Sequence, residues 1–155
     1  MITSKAIRHL VAFITLSFAS FVNAGVDTET DANSVILAGH DAVAYFTKGK
    51  PVKGNGKYTA VHNDAIYHFS SSKNRDLFNA NPEKYAPQYG GFCAYGLTFG
   101  KKFEIDGKAF KIVDGKLYVN KNLDVAKAWN KDVPKHISEA NSQWPKVVEI
   151  PASQL

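Results

Sequence analysis

Cys93 is the single cysteine of the chain, and it stands in a glycine-rich aromatic run, Pro87-Gln88-Tyr89-Gly90-Gly91-Phe92-Cys93-Ala94-Tyr95-Gly96. One thiol cannot close a disulfide within the chain, so three roles remain for it. As a thiolate joined by imidazoles it suits a copper or zinc ion, and His68 and His40 are the candidate co-ligands, with His62 and His136 as further imidazoles. With its pKa lowered by a cation, a base or a helix N-terminus, it is a nucleophile or redox group for a thiol-dependent redox or transfer enzyme. As a small apolar side chain it simply packs, and the domain is then a structural or interaction module with a buried Cys93. No CxxC or HxxxH spacing accompanies it, and with Met1 the only methionine there is no Met-rich copper site. Neither a serine elbow nor a carboxylate pair stands out. Tyr67, Tyr89, Phe92 and Tyr95 are the rings best placed in sequence to line a ligand pocket beside the glycine-rich loop.

The elements that must position these groups begin after a leader. Lys5 and Arg8 precede an uncharged apolar run, Leu10 to Val22, and Val22-Asn23-Ala24 supplies compact residues before Gly25. That is the pattern of a secretory signal peptide, residues 1–24, cut near Ala24. The run is shorter than the roughly 20 residues of a membrane span, so the expected location is periplasmic or secreted, with no stable membrane anchor. Removing Lys5 and Arg8 leaves seventeen Lys and Arg against fourteen Asp and Glu, and the net charge falls from +5 to +3. The remaining lysines are scattered, which argues against a nucleic-acid partner. A metal ion or small ligand is the expected partner.

Residues 25–34 are polar and acidic and read as a flexible leader, 35–147 as one domain, and 148–155 as a tail. Asp41 to Phe46 reads as a short strand or extended entry. Lys57–His62 and Ala65–Phe69 flank an Asn63-Asp64 turn, and Ala109–Val113 and Lys116–Val119 flank Asp114-Gly115; both are hairpin signals. A two-residue first turn pairs Thr59 with His68 and His62 with Ala65. It puts His62 and His68 on opposite faces, His68 with Val61 and Ile66 and, if that face is the core, with Asp41 as a partner. Ser70–Ser72 offers an N-cap for a helix over 73–80, and Pro82 starts a further turn. Leu123, Ala126 and Trp129 mark one helical face, and Val133, Ile137, Ala140 and Trp144 another, stopped by Pro145; His136 falls in an exposed-looking stretch. No internal repeat or low-complexity tract is evident. The expected fold is α+β, a small antiparallel sheet of two β-hairpins with packed helices.

Several of these segments, in order, resemble the YHS domain family: Gly39 to Phe46, Ile66-Tyr67-His68-Phe69-Ser70, and Phe78-Asn79-Ala80-Asn81-Pro82-Glu83-Lys84-Tyr85. Pro87 to Gly96, Val113 to Asn120 and Trp144-Pro145 resemble its exported, single-domain branch. Other branches are linked to heavy-metal handling and carry cysteines close to the Asp-x-Val motif and at the start of the helix after the Tyr-x-Phe strand. Here those stretches read Asp41-Ala42-Val43-Ala44 and Ser70-Ser71-Ser72-Lys73-Asn74, without a thiol. The resemblance therefore implies a fold, and the expected function is an exported small binding protein. Its candidate site holds a copper- or zinc-type ion or a small ligand near Cys93.

Overall fold

The computed structural model describes residues 26–155. The signal-peptide segment and its cut after Ala24 lie outside the described residues. The order of elements is α1 (Ala42–Lys48), β1 (Asn55–His62), β2 (Ala65–Phe69), α2 (Ser72–Ala80), α3 (Pro82–Tyr85), α4 (Ala94–Leu97), β3 (Asp106–Val113), β4 (Lys116–Asn120), α5 (Leu123–Trp129) and α6 (Val133–Val147). Short 3-10 turns precede α1 at Leu37–Gly39 and α4 at Gln88–Gly91. No helix among the described residues is long and apolar enough to cross a membrane.

The fold is α+β, with each hairpin forming its own two-stranded antiparallel sheet. Asn63 and Asp64 both take positive φ, as do Asp114 and Gly115, so each turn is the two-residue kind whose twist matches the strands. The first register is the expected one, with Thr59 opposite His68 and His62 opposite Ala65. The core, however, lies on the His62 face. Ala60, Ala65, Tyr67 and Phe69 are buried, while Val61 on the other face is 71% exposed. Three rings, Tyr67, Phe69 and Phe78, pack at centroid distances of 4.4 to 6.5 Å, and that aromatic payload decides which face turns inward. His68 is accordingly half-buried on the outer face.

Asp41 to Phe46 is helical rather than extended. The Asp41 carboxylate accepts the N–H groups of Val43 and Ala44, an N-cap that starts α1, and Gly49 in the left-handed region ends it. Pro145 does not stop α6. The helix runs on to Val147, closed by Val148 N–H donating to the Trp144 carbonyl at 2.9 Å. His136 is half-buried, its ring donating to the Trp129 carbonyl at 2.8 Å. The segment read as a flexible leader is tied to the domain. Asp27 N–H donates to Val148 O at 3.1 Å and Glu29 N–H to Gly90 O at 2.9 Å. The wholly buried Lys102 ammonium bonds Asp27 at 2.8 Å and the carbonyls of Val148 and Ile150, between the rings of Phe92 and Trp144.

Two apolar clusters result. One gathers Tyr45, Tyr67, Phe69 and Phe78 with Leu117 and Val119, and the other packs Leu97, Tyr118 and Ala140 around Trp129.

Candidate functional site: the Cys93 cavity and the Asp41 hub

The glycine-rich loop works by close approach. Tyr89, Gly90 and Gly91 take positive φ in succession, and a Cβ on Gly90 would sit 2.3 Å from the Asp27 carbonyl oxygen. This reversal delivers Cys93 to the start of α4, where its N–H donates to Phe103 O at 3.1 Å and its carbonyl accepts from Leu97. At Gly96, a Cβ would meet the Phe103 ring at 2.6 Å, so only glycine lets that ring lie against α4.

Cys93 is buried. Its Sγ accepts the Lys121 N–H at 3.3 Å and donates to Asn120 Oδ1 at 3.7 Å, and the same oxygen accepts Tyr95 N–H at 3.0 Å. Burial pushes the thiol pKa up, against the lowering effect of the surrounding N–H groups. The thiol is therefore protonated at neutral pH. It lines a cavity of about 220 Å³ with Tyr95, Gly96, Phe99, Phe103, Lys121 and Val125. Phe99 is 66% exposed and Phe103 41% exposed, two rings left at the rim while the thiol is covered. The Lys121 ammonium lies 5.1 Å from the Phe103 centroid and 2.9 Å from Glu104.

The other candidate residues are distributed. His68 lines a separate cavity with Asp31, Asn33, Thr59 and Ile66, and His40 lines neither that cavity nor the one at Cys93. His40 is buried, with Nδ1 donating to Leu37 O at 3.0 Å, and desolvation lowers its pKa. Among the described residues, no group of three or more His, Cys, Asp or Glu side chains is placed to hold a metal ion. Of the four rings, Tyr95 lines the Cys93 cavity. Tyr67 and Tyr89 meet Trp144 in a second cavity, and Phe92 lines a third with Lys102. Sequence reasoning missed Phe99, Phe103, Lys121 and Val125. Phe99-Gly100 and Phe103 frame a segment with no periodicity, and only their exposure in the fold marks them.

Asp41 forms a second buried polar centre. Oδ1 accepts Val43 and Ala44 N–H, and Oδ2 accepts Ser70 N–H at 2.8 Å, Ser70 O–H at 2.6 Å and Asn74 Nδ2–H at 2.7 Å. Five donors converge on one carboxylate that is wholly removed from solvent. This joins α1, the end of β2 and α2, the same three segments that carry the recognisable sequence. Residues 43–89 match the model of the YHS domain.

The chain contains a YHS domain. No curated protein and no solved structure matches the chain. The YHS domain is often linked to metal binding, and the residues here do not fit a soft ion. The thiol-free stretches around Asp41, two residues before the match, and Ser70–Asn74, within it, come together as the hub just described. Its carboxylate is already saturated by N–H and O–H donors, and Ser70 and Asn74 offer no thiolate. Cys93 lies beyond the matched residues, and its polar partners are an amide oxygen and a main-chain N–H.

Proposed function

We propose that the protein is an exported binding protein that takes a small apolar ligand, or the apolar end of a larger one, in the cavity over Cys93. The export half of the reading rests on the charged, apolar and cleavage-like stretches before Gly25. The binding half rests on one observation: Phe99 and Phe103 stand exposed around a cavity that the buried Cys93 thiol also lines. Leaving aromatic carbon in water forgoes about 25 cal/mol per Å² of burial, which an apolar occupant recovers. The volume suits such an occupant, since an apolar cavity of about 150 Å³ holds a benzene ring. Cys93 then acts as a polarizable wall rather than a nucleophile, because burial opposes the thiolate that nucleophilic or metal chemistry requires.

The test is a titration of the purified protein with 1-aminoanthracene, an apolar fluorophore, beside Val125→Phe, which fills the cavity from α5. Saturable binding that is lost in Val125→Phe and protects Cys93 from alkylation is expected. Binding indifferent to Val125→Phe, or none, overturns the reading. Parallel titrations with Cu(I) and Zn(II) decide the competing view: stoichiometric uptake abolished in Cys93→Ser would put a metal in the place of the apolar ligand.

A further inference from the structure

Position by position, the second half of the chain repeats the first at a spacing of 51 or 52 residues, against the sequence expectation of no internal repeat. An eight-residue strand, a two-residue turn and a five-residue strand make β1–β2 from Asn55 and β3–β4 from Asp106. Both hairpins slip register at the same place, between Asn55 and Thr59 and between Asp106 and Phe110. Asparagine or serine then caps the helix that follows, Ser71 for α2 and Asn122 for α5. Asn81 and Asp132 cap the next, α3 and α6.

The irregular parts agree as well. Left-handed residues Leu37, Ala38 and Gly39 precede α1, and Tyr89, Gly90 and Gly91 precede α4. An isolated parallel bridge joins Val35 to Ile66, and another joins Pro87 to Leu117. Regular secondary structure recurs by chance, but a matched run of three left-handed residues and a matched parallel bridge do not follow from propensity.

In this correspondence Cys93 falls on Asp41. Asp41 N–H donates to Val52 O at 2.8 Å as Cys93 N–H donates to Phe103 O at 3.1 Å. Ser70 N–H reaches the Asp41 carboxylate at 2.8 Å as Lys121 N–H reaches Cys93 Sγ at 3.3 Å. Val125 takes the place of Asn74, the third donor side of the hub. The YHS match ends at Tyr89, so it takes in only the first three residues, 87–89, of the corresponding second stretch.

We infer that residues 87–147 are a second, diverged copy of the folding unit of residues 35–85, and that Cys93, Lys121 and Val125 are the specificity-determining residues of its site. This deepens the apolar-site reading and rests on it for the ligand. In the first copy carboxylate, hydroxyl and amide lock together. In the second, thiol and Val125 leave that place without a polar lock, and a cavity opens beside α4 lined by Phe99 and Phe103. The substitution of three polar residues by Cys, Lys and Val is what turns a hub into an apolar site.

The test restores the first copy's chemistry in the second. Cys93→Asp, Lys121→Ser/Val125→Asn, and the triple variant are made in the full protein and melted. If the positions correspond, the serine and asparagine supply the O–H and N–H donors the new carboxylate lacks. Lys121→Ser/Val125→Asn then raises Tm by about 5 °C or more in the Cys93→Asp background while lowering it in the parent. The triple variant also loses 1-aminoanthracene binding while folded. A triple variant no more stable than Cys93→Asp alone, whether both fold or neither does, overturns the correspondence. The melting arm needs no ligand. If nothing binds the parent, the functional reading falls while the rescue still decides the duplication.

Discussion

Removing the Asp41 carboxylate should cost the fold about 3–7 kcal/mol. Asp41→Ala deletes the cap of α1, worth about 1 kcal/mol. It also strands the Ser70 N–H and the Asn74 amide, donors that now bond Oδ2 at 2.8 and 2.7 Å beside a wholly buried residue. Each buried donor left without a partner costs about 1–3 kcal/mol. Domains of this size carry about 5–15 kcal/mol in all, so a melting point lower by about 10–20 °C is expected. Asp41→Asn separates the two contributions. Its amide oxygen can still accept from Val43 and Ala44, but its NH₂ faces the donors of Ser70 and Asn74. It should therefore lose nearly as much as Asp41→Ala, even though it is nearly isosteric. Denaturant unfolding of the three proteins measures this directly. An Asp41→Asn variant within 1 kcal/mol of the parent would show that the hub is not a charge-assisted network and would refute the reasoning.

Three further outcomes follow from other parts of the fold. Glu29 has its pKa raised to about 7, by burial first and then by the charges of Glu104 and Asp31. Because the folded carboxyl holds its proton better than the unfolded one, the stability that Glu29 contributes is fully present below about pH 4.5 and is lost as pH climbs through 7. For a half-buried group screened by solvent the loss is about 1–2 kcal/mol, and Glu29→Gln should flatten that slope in melts at pH 5 and pH 8. Cys93 should alkylate at pH 7 at least about 100-fold more slowly than a free thiol and reach full speed only in denaturant; rapid labelling of the native protein would contradict its burial and raised pKa. Gly90→Ala places a Cβ against the Asp27 carbonyl in a left-handed backbone, so it should lift residues 26–31. The expected signature is faster hydrogen exchange at Glu29, whose N–H bonds Gly90 O, with a stability loss of about 1–2 kcal/mol. Unchanged exchange there would mean that the Glu29–Gly90 bond does not depend on the close approach at Gly90.

What the sequence could disclose divides along a physical line. Local chemistry was legible. Asn63-Asp64 and Asp114-Gly115 announce turns because few residues accept positive φ, and those turns fixed both registers. Ser71 was readable as a cap because its hydroxyl serves an N–H three residues away. Asp41 was misread as part of an extended entry because half of its role is long-range: the donors on Oδ2 come from residues 29 and 33 positions away, and no window of sequence contains them. The core face of the first hairpin is left open by the sequence for the same reason. Alternation offers two faces, and only the arrival of Phe78 from α2 decides between them. The duplication stayed hidden for a different cause. Its two halves agree in backbone requirements while their side chains differ: Gly39 against Gly91, Tyr67 against Tyr118 and Asn79 against Asn130 persist, but Asp41 against Cys93, Phe69 against Asn120 and Asn74 against Val125 do not. Conformation constrains few positions and packing partners constrain many, so when two copies come to cover different surfaces of one domain the many change first. The Cys93 cavity stands at a position where that change was complete. Its lining shares no residue type with the polar side chains of the hub it corresponds to, and the lone cysteine is readable in sequence as a thiol but not as the counterpart of a carboxylate.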